Sequence, residues 1–428
     1  MTEFVGKVDL VEQMFRVAAG QKIGDHLTTE KATTNIHGWA LEARVYAEDP
    51  LRGFLPSNGS LLKLIEPRGA TAFGIDGTIR VDSGLLEGME ISTHYDPMIA
   101  KLVTHGATRT ECIDRMEAAL DEYVIQGSAS FAHNTAFLSE LCRSERFRTG
   151  HTPTSFIAEE FPDGFHGVNL RKSEVLRTVA AALVVHTDRA KQHVDAEGGG
   201  SISAEAPMEA NAEWIVTLAD DGHSTAMKLA GGNRSFAVAA VSAAELDEDP
   251  EEGTEGALRV VPLCPRTGAL LHDQAELIEV AGVDWPNEAP LVEIDCGDGL
   301  GPKCVQYLGP SDSAYCAYRL VTAGAALSAS VLSPKEEAYG KHMLPPEVKD
   351  TSNMIQSPMP GTLISMNVSD GQMIEAGQEV CVVEAMKMQN VLRAPRAGMV
   401  AKVHAKAGDS LKVDQLIASL APKEELAK

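Results

Sequence analysis

The stretch Glu384-Ala385-Met386-Lys387-Met388-Gln389-Asn390 holds the side chain best suited to covalent chemistry, the primary amine of Lys387. An amine on an exposed, stiff tip is a good acceptor for an acyl-adenylate when its neighbours leave room for the donor. Met386 and Met388 flank it, and such flexible, polarisable side chains suit a surface that another protein must read. The segment around it repeats itself. Pro358 and Gly361 recur as Pro395 and Gly398, Gly371 as Gly408, Ile374 as Leu411, Gln378 as Gln415 and Val380 as Ile417, always 37 residues apart. Halves this short cannot bury a core alone and must pack on one another. Short strands broken by Gly turns are expected at 363–364, 380–383, 399–400 and 416–417. Lys387 falls at the join, where a hairpin tip would lift it clear of a nearly symmetric β-sandwich.

The Ala-Met-Lys-Met tetrapeptide at 385–388, set in its Pro and Gly frame, resembles the attachment site of biotin-dependent carboxylases. That resemblance implies covalent biotin on Lys387 and a biotin protein ligase as an obligatory partner. Lipoyl domains share the fold the frame implies, but their lysine usually lacks the paired methionines. A lipoyl carrier of a 2-oxo-acid dehydrogenase is therefore the rival reading from another enzyme class. Ala226-Met227-Lys228-Leu229 is nearly the same tetrapeptide without frame or repeat, so a plain strand is expected there.

The chain of 428 residues has room for about two to four domains. Its formal net charge of −24 argues against nucleic acid as a partner, since phosphates call for a basic face. Six basic residues balance six acidic ones in 354–421, so the excess acid lies upstream. Seven cysteines without a Cys-x-x-Cys pair fit a reducing compartment better than a secreted one. Cys296, Cys304 and Cys316 match no common zinc spacing and are expected as buried thiols; no metal site is expected. No apolar run reaches a membrane span, and 179–185, the longest of note, is expected in an amphipathic helix. The N-terminus shows neither a signal peptide nor an Arg-rich transit segment.

Asp9 is expected to cap a helix with Val11, Met14, Phe15 and Ala18 on its apolar face and Gly20 as the stop. Strands are expected at 38–50 and 79–84, and helices at 108–125, with Ile113, Met116, Leu120 and Tyr123 on one face, and at 134–143. The stretches 42–50, 80–84 and 95–102 are similar to the C-terminal lobe of biotin carboxylase, an ATP-grasp enzyme. Phe161-Pro162-Asp163-Gly164-Phe165 and Gln389-Asn390 resemble the α subunits of propionyl-CoA carboxylases among the acyl-CoA carboxylases. Pyruvate and methylcrotonoyl-CoA carboxylases fit less well. The match covers 1–195 and 350–421, and the middle only in outline. By resemblance Arg44 is catalytic: it reaches the carboxylation site and contacts the ureido oxygen of biotin. A fixed guanidinium there stabilises the negative charge built up in the transition state. Spacing alone would pair Arg44 with Glu42 or Glu48 as a surface charge. Asp96, before Pro97, reads as a structural turn.

No Gly-rich loop able to cradle phosphates and no carboxylate cluster for magnesium is seen. The family places those parts, and its other catalytic arginine, ahead of the point matched by Met1. The expectation is a truncated or split subunit with a missing or separate ATP-binding half, which carries biotin but cannot turn over ATP alone. Mixed with ATP, magnesium, bicarbonate and free biotin, it should release no ADP above background. A non-catalytic carrier and scaffold working with a separately encoded ATP-binding half is the nearer rival. In the complete enzyme, the resemblance implies, ATP activates bicarbonate as carboxyphosphate and biotin on Lys387 takes up the carboxyl group. A separate carboxyltransferase β subunit then passes it to propionyl-CoA.

In the middle, Ser173 is expected to cap a helix carrying Val175, Leu176, Val179, Leu183 and Ala190 and ending near Val194. A flexible stretch at 197–211 follows, then strands at 214–218, 236–241, 258–261, 291–294 and 326–332, with a solvated acidic loop at 245–255. His186 and His193, on the helix, read as satisfied or solvated histidines. One helix and many antiparallel strands resemble the domain that holds carboxylase subunits together, a β-barrel around a helix. The expected fold class is α+β and β multidomain. It comprises a biotin carboxylase C-terminal lobe at 1–170, a helix-plus-antiparallel β-barrel subunit-interaction domain at 171–334, a linker at 335–353 and a biotinyl β-sandwich at 354–421. The resemblance implies the mitochondrial matrix for a eukaryotic source and the cytoplasm otherwise.

Overall fold

In the computed structural model, residues 1–25, 27–28, 36–71, 77–91, 96–128, 131–196, 213–220, 234–241, 256–263, 270–284, 291–297, 301–311, 315–343, 353–385, 388–412 and 414–421 are described. Lys387, the tetrapeptide at 226–229, the flexible stretch at 197–211 and the acidic loop at 245–255 lie outside the described residues, as does the side chain of His193.

The first region opens with α1 (Thr2–Gly6) and α2 (Leu10–Ala18). Asp9 caps α2 as expected, accepting from Glu12 N at 2.9 Å. Its apolar residues Val11, Met14 and Phe15 are exposed. The strands of this region are β1 (Trp39–Tyr46), β2 (Glu48–Asp49), β3 (Leu55–Pro56), β4 (Gly59–Ile65), β5 (Ala70–Thr71), β6 (Ile79–Ser83), β7 (Glu90–Ile91) and β8 (Met98–Gly106). Four of them form one sheet in the order β1-β8-β6-β5. Period-two alternation divides its faces: Ala43, Val45, Ala100 and Leu102 turn inward, and Glu42, Arg44 and Lys101 outward. On the inner face lies α3 (Arg109–Glu122), capped by Thr108 and burying Ile113, Met116 and Leu120. The helix stops at Glu122 rather than running to 125. The β-branched Val124 and Ile125 instead belong to β9 (Val124–Gly127), which pairs with β4. Three helices follow: α4 (Thr135–Arg143), α5 (Glu145–Thr149) and α6 (Phe156–Glu160). Asp96 is a turn residue, accepting from Met98 N at 3.0 Å.

The middle region is a closed antiparallel barrel of eight strands. These are β10 (Glu213–Asp220), β11 (Arg234–Val241), β12 (Gly256–Pro262), β13 (Glu276–Asp284), β14 (Leu291–Asp295), β15 (Lys303–Ser311), β16 (Ala317–Thr322) and β17 (Ala325–Leu332). Through it runs α7 (Lys172–Ala196), whose residues share one core with the barrel strands. The helix is not amphipathic at 179–185. Thr178, Val179, Ala180, Ala181, Ala182 and Leu183 are all buried, and six in a row cover every face of a 3.6-residue turn. Ser173 lies inside the helix rather than at its cap; Glu174 Oε2 accepts from Arg171 N at 2.6 Å instead. His186 is satisfied, with Nδ1 2.9 Å from the Tyr318 hydroxyl, and burial lowers its pKa. Of the three cysteines expected to be buried, Cys304 is, with its thiol pushed up to about 12 by desolvation, while Cys296 and Cys316 are half-buried.

Lobe and barrel meet through an aromatic cluster. Phe161 and Phe165, of the Phe-Pro-Asp-Gly-Phe stretch, pack on Phe137 of α4, and Ala325 of β17 joins them. The turn before β17 comes close: a Cβ on Gly324 would stand 2.7 Å from Ala136 Cα. The segment expected as a linker begins with α8 (Pro334–Gly340), fixed by a capping box of Ser333 and Glu336.

The last unit consists of β18 (Met354–Gln356), β19 (Gly361–Met366), β20 (Met373–Ile374), β21 (Glu379–Ala385), β22 (Met388–Arg393), β23 (Gly398–Val403), β24 (Ser410–Leu411) and β25 (Leu416–Leu420). They make two four-stranded sheets, β18-β25-β23-β20 and β22-β21-β19-β24. Exchanging each strand for its repeat partner turns one order into the other, so each half contributes to both sheets. The repeat holds atom by atom. Gly371 N donates to Val400 O at 2.8 Å, and Gly408 N to Leu363 O at 2.7 Å. Gln378 Oε1 accepts from Glu375 N at 2.9 Å, and Gln415 Oε1 from Lys412 N at 2.8 Å. Ile374 and Leu411, and Val380 and Ile417, are buried in the shared core. Gly371 and Gly408 both take positive φ, 79° and 94°, which a side chain would strain.

Candidate functional site

Two places carry the chemistry read from the sequence. The first is the end of the β21–β22 hairpin. Ala385 pairs with Met388, so the ladder is intact up to the residues on either side of Met386 and Lys387. Behind it, Val383 and Ala385 are buried in the carrier core, and Gln389 Nε2 donates to Glu384 Oε2 across the hairpin at 3.3 Å. Gly361 lets β19 press against this strand: a Cβ there would stand 2.4 Å from Glu384 O. A two-residue connection backed by two packed sheets is stiff at its base, which suits covalent attachment of biotin to a side-chain amine.

The second is the outer face of the lobe's sheet. Register sets Arg44 of β1 opposite Lys101 of β8, and Lys101 opposite Asp82 of β6. Arg44 is 59% exposed, and its Nε lies 3.4 Å from Glu42 Oε1. Hydrogen bonding to Tyr46, then to Glu42, raises its pKa further above the usual value, so it stays cationic. Alongside, Arg80 bridges Asp82 at 2.7 Å and Glu3 at 2.5 Å, and its pKa is raised chiefly by Asp82. Glu3, Glu42, Arg80, Asp82 and Lys101 border a cleft of about 180 Å³. Arg44 thus has the Glu42 neighbour that spacing alone suggests, and Tyr46 as a second partner, at an exposed position. Sequence reasoning missed Lys101, Arg80, Asp82 and Glu3. The two-residue alternation of each strand could have placed them on one face, but only the register brings them together. Among the described residues no group of three His, Cys, Asp or Glu side chains could hold a metal, and no helix is long and apolar enough to cross a membrane.

These two units are of known kinds. The biotin carboxylase C-terminal domain family matches residues 42–159, and the biotin-requiring enzyme family, of biotin and lipoyl domains, matches 353–420. The chain carries both domains with an eight-stranded barrel between them, and it resembles the C-terminal part of biotin-dependent acyl-CoA carboxylase α subunits.

It is similar to propionyl-CoA carboxylase alpha chains. It is 36% identical over 436 residues to the propionyl-CoA carboxylase alpha chain of Ruegeria pomeroyi, covering 97% of this chain and 56% of that one. To the mitochondrial propionyl-CoA carboxylase alpha chain of Homo sapiens it is 34% identical over 423 residues, covering 98% and 50%. To the mitochondrial methylcrotonoyl-CoA carboxylase subunit alpha of Rattus norvegicus it is 26% identical over 405 residues, covering 94% and 49%. The chain spans about half the length of these curated relatives.

Proposed function

We propose that this chain is the carrier-bearing part of an acyl-CoA carboxylase α subunit that takes biotin on Lys387. The carrying observation is the twin-sheet frame, whose intact β21–β22 ladder closes on either side of that residue. Bound biotin would supply a ureido group able to hold a carboxyl between two active sites. The chain's own residues then have separate tasks. The paired sheets keep the hairpin base rigid, and the hydrogen bond from the exposed Gln389 to the half-buried Glu384 joins its flanks. Arg44 offers an exposed, permanent cation to an anionic oxygen, with Lys101 opposite it, while Arg80 on the same face is paired with Asp82 and Glu3.

Lys387 and Arg44 are accordingly the binding and catalytic residues of the proposal. In the complete enzyme ATP, magnesium and bicarbonate would act at an ATP-binding half, and a carboxyltransferase β subunit would accept the carboxyl group for propionyl-CoA. The compartment proposed is the mitochondrial matrix for a eukaryotic source and the cytoplasm otherwise. The units at 1–170, 171–334 and 354–421 serve as lobe, subunit-interaction barrel and carrier. The direct test is streptavidin blotting of wild type beside Lys387→Arg after treatment with a biotin protein ligase. Wild type should give a signal and the variant none; an undiminished signal from the variant sinks the assignment.

A further inference from the structure

The carrier contains one loop twice, and the two copies meet different surroundings. Ser357-Pro358-Met359-Pro360 leads into β19, and Ala394-Pro395-Arg396-Ala397 leads into β23. Met359 is 1% exposed and its flanking prolines are half-buried, whereas Pro395 and Ala397 are exposed and Arg396 is half-buried. Met359 belongs to the carrier's core, and the lobe adjoins its loop. Arg52, Leu55 and Pro56 form a narrow cleft with Pro358, Met359 and Pro360, and Leu55 packs against the carrier's own core. An apolar Met359 where the twin loop has a cation is what such a contact requires, because a buried unpaired charge is costly.

The covered loop lies at the hairpin end of the carrier. Met359 Sδ is 3.5 Å from Asn390 Nδ2 of β22, and Gly361 abuts the Glu384 backbone. On the lobe side, the cleft is braced by the loop that also braces the Arg44 strand. Ala132 N donates to Ser57 Oγ at 2.8 Å. Two residues on, Asn134 donates to Arg44 O at 3.1 Å and accepts from Tyr46 N at 2.9 Å.

We propose that Arg52, Leu55 and Pro56 form a docking site for the carrier of the same chain. It grips the Pro358-Met359-Pro360 loop and draws the hairpin end of the carrier to the lobe that holds Arg44. The purpose of the site rests on the function proposed above, but its existence is tested without biotin. Hydrogen exchange is followed by mass spectrometry on the full, unbiotinylated chain. Met359→Arg gives this loop the residue the chain already carries at the twin position, so the carrier should still fold. Lobe peptides covering 52–58, some 300 residues away in sequence, should exchange about tenfold faster, with β21 and β25 as protected as before. Leu55→Asp should deprotect 357–363 by a similar factor; Arg52→Glu replaces it should the lobe unfold. Unchanged exchange at 52–58 in folded Met359→Arg overturns the proposal, as does unchanged exchange at 357–363 in the folded lobe variant. A failure of wild-type biotinylation would count against the function proposed above and leave the docking site standing.

Discussion

The two halves of the carrier are twins in their core and turns and strangers at one loop. Strand order, buried pairs and turn hydrogen bonds repeat at a fixed offset, down to Gln378 and Gln415 accepting equivalent backbone donors. The break comes at Met359, which is covered, and Arg396, which is half-buried and donates to Asn353 Oδ1 and to Ala421 O. The difference teaches where function entered. The shared positions serve packing, which a doubled sequence meets twice with the same residues. The unshared ones sit where each half meets something different: the lobe at Met359, and the acylatable lysine between β21 and β22.

Substitutions at matched positions test this comparison. The largest asymmetry is expected at the strand glycines. A Cβ on Gly361 would stand 2.4 Å from the Glu384 carbonyl, which cannot retreat without breaking the β19–β21 ladder. Gly361→Ala should cost about 3 kcal/mol or more. At Gly398 the Cβ would meet only the Arg396 guanidinium, at 2.8 Å, a side-chain end that is held by Asn353 and Ala421 but shifts more cheaply than a strand carbonyl. Gly398→Ala should cost less than about 1 kcal/mol. Denaturant titration of both variants decides this, and equal losses would contradict the account of the break. In the core symmetry should return. Val380→Ala and Ile417→Ala each remove a fully buried side chain and should each cost about 2–4 kcal/mol. A variant that left the melting curve unmoved would show its half to be poorly packed.

Outside the carrier, the joint between lobe and barrel should respond to pH as the carrier does not. Asp121 is half-buried there, with an inaccessible Oδ1 that lacks a hydrogen-bond partner, and desolvation pushes its pKa up to about 7. Glu117 and Glu174 raise it further, while Lys303 and Arg143 oppose them. The raised folded value means that its stabilisation is complete below about pH 4 and lost as pH rises through about 7. Melting of this part should fall by a few degrees between pH 5 and pH 8, and Asp121→Asn should flatten that slope. An equal slope in the variant would remove Asp121 as the cause. The smallest effect is expected at the turn glutamines. Gln378→Ala and Gln415→Ala each give up one exposed hydrogen bond, worth about 1 kcal/mol, and should match one another in thermal denaturation.

Much of the carrier was legible because a repeat constrains a sequence at many positions at once. Strands expected at 363–364, 380–383, 399–400 and 416–417 all lie within β19, β21, β23 and β25. The barrel was legible in outline. From the sequence no strand is expected at β15, where Gly309 and Pro310 sit at a bulge and the register shifts after Tyr307; β13 shifts likewise at Val280. The enclosure of α7 was implied by the resemblance to a β-barrel around a helix but not by its own pattern, because small alanines leave no sign that strands close around a helix from every side. At the lobe, Arg44 stood out by family likeness alone. Its neighbours Lys101, Arg80 and Glu3 come from three distant segments that only the sheet register and α1 bring together.

The central claim is that the amine between the twin halves is the point of attachment for biotin. Intact-mass measurement with peptide mapping, after incubation with biotin, ATP and a biotin protein ligase, tests it most directly. The account predicts one biotinyl group per chain, carried on the peptide containing Lys387. A lipoyl group in its place, or a biotinyl group on any other lysine, would contradict it.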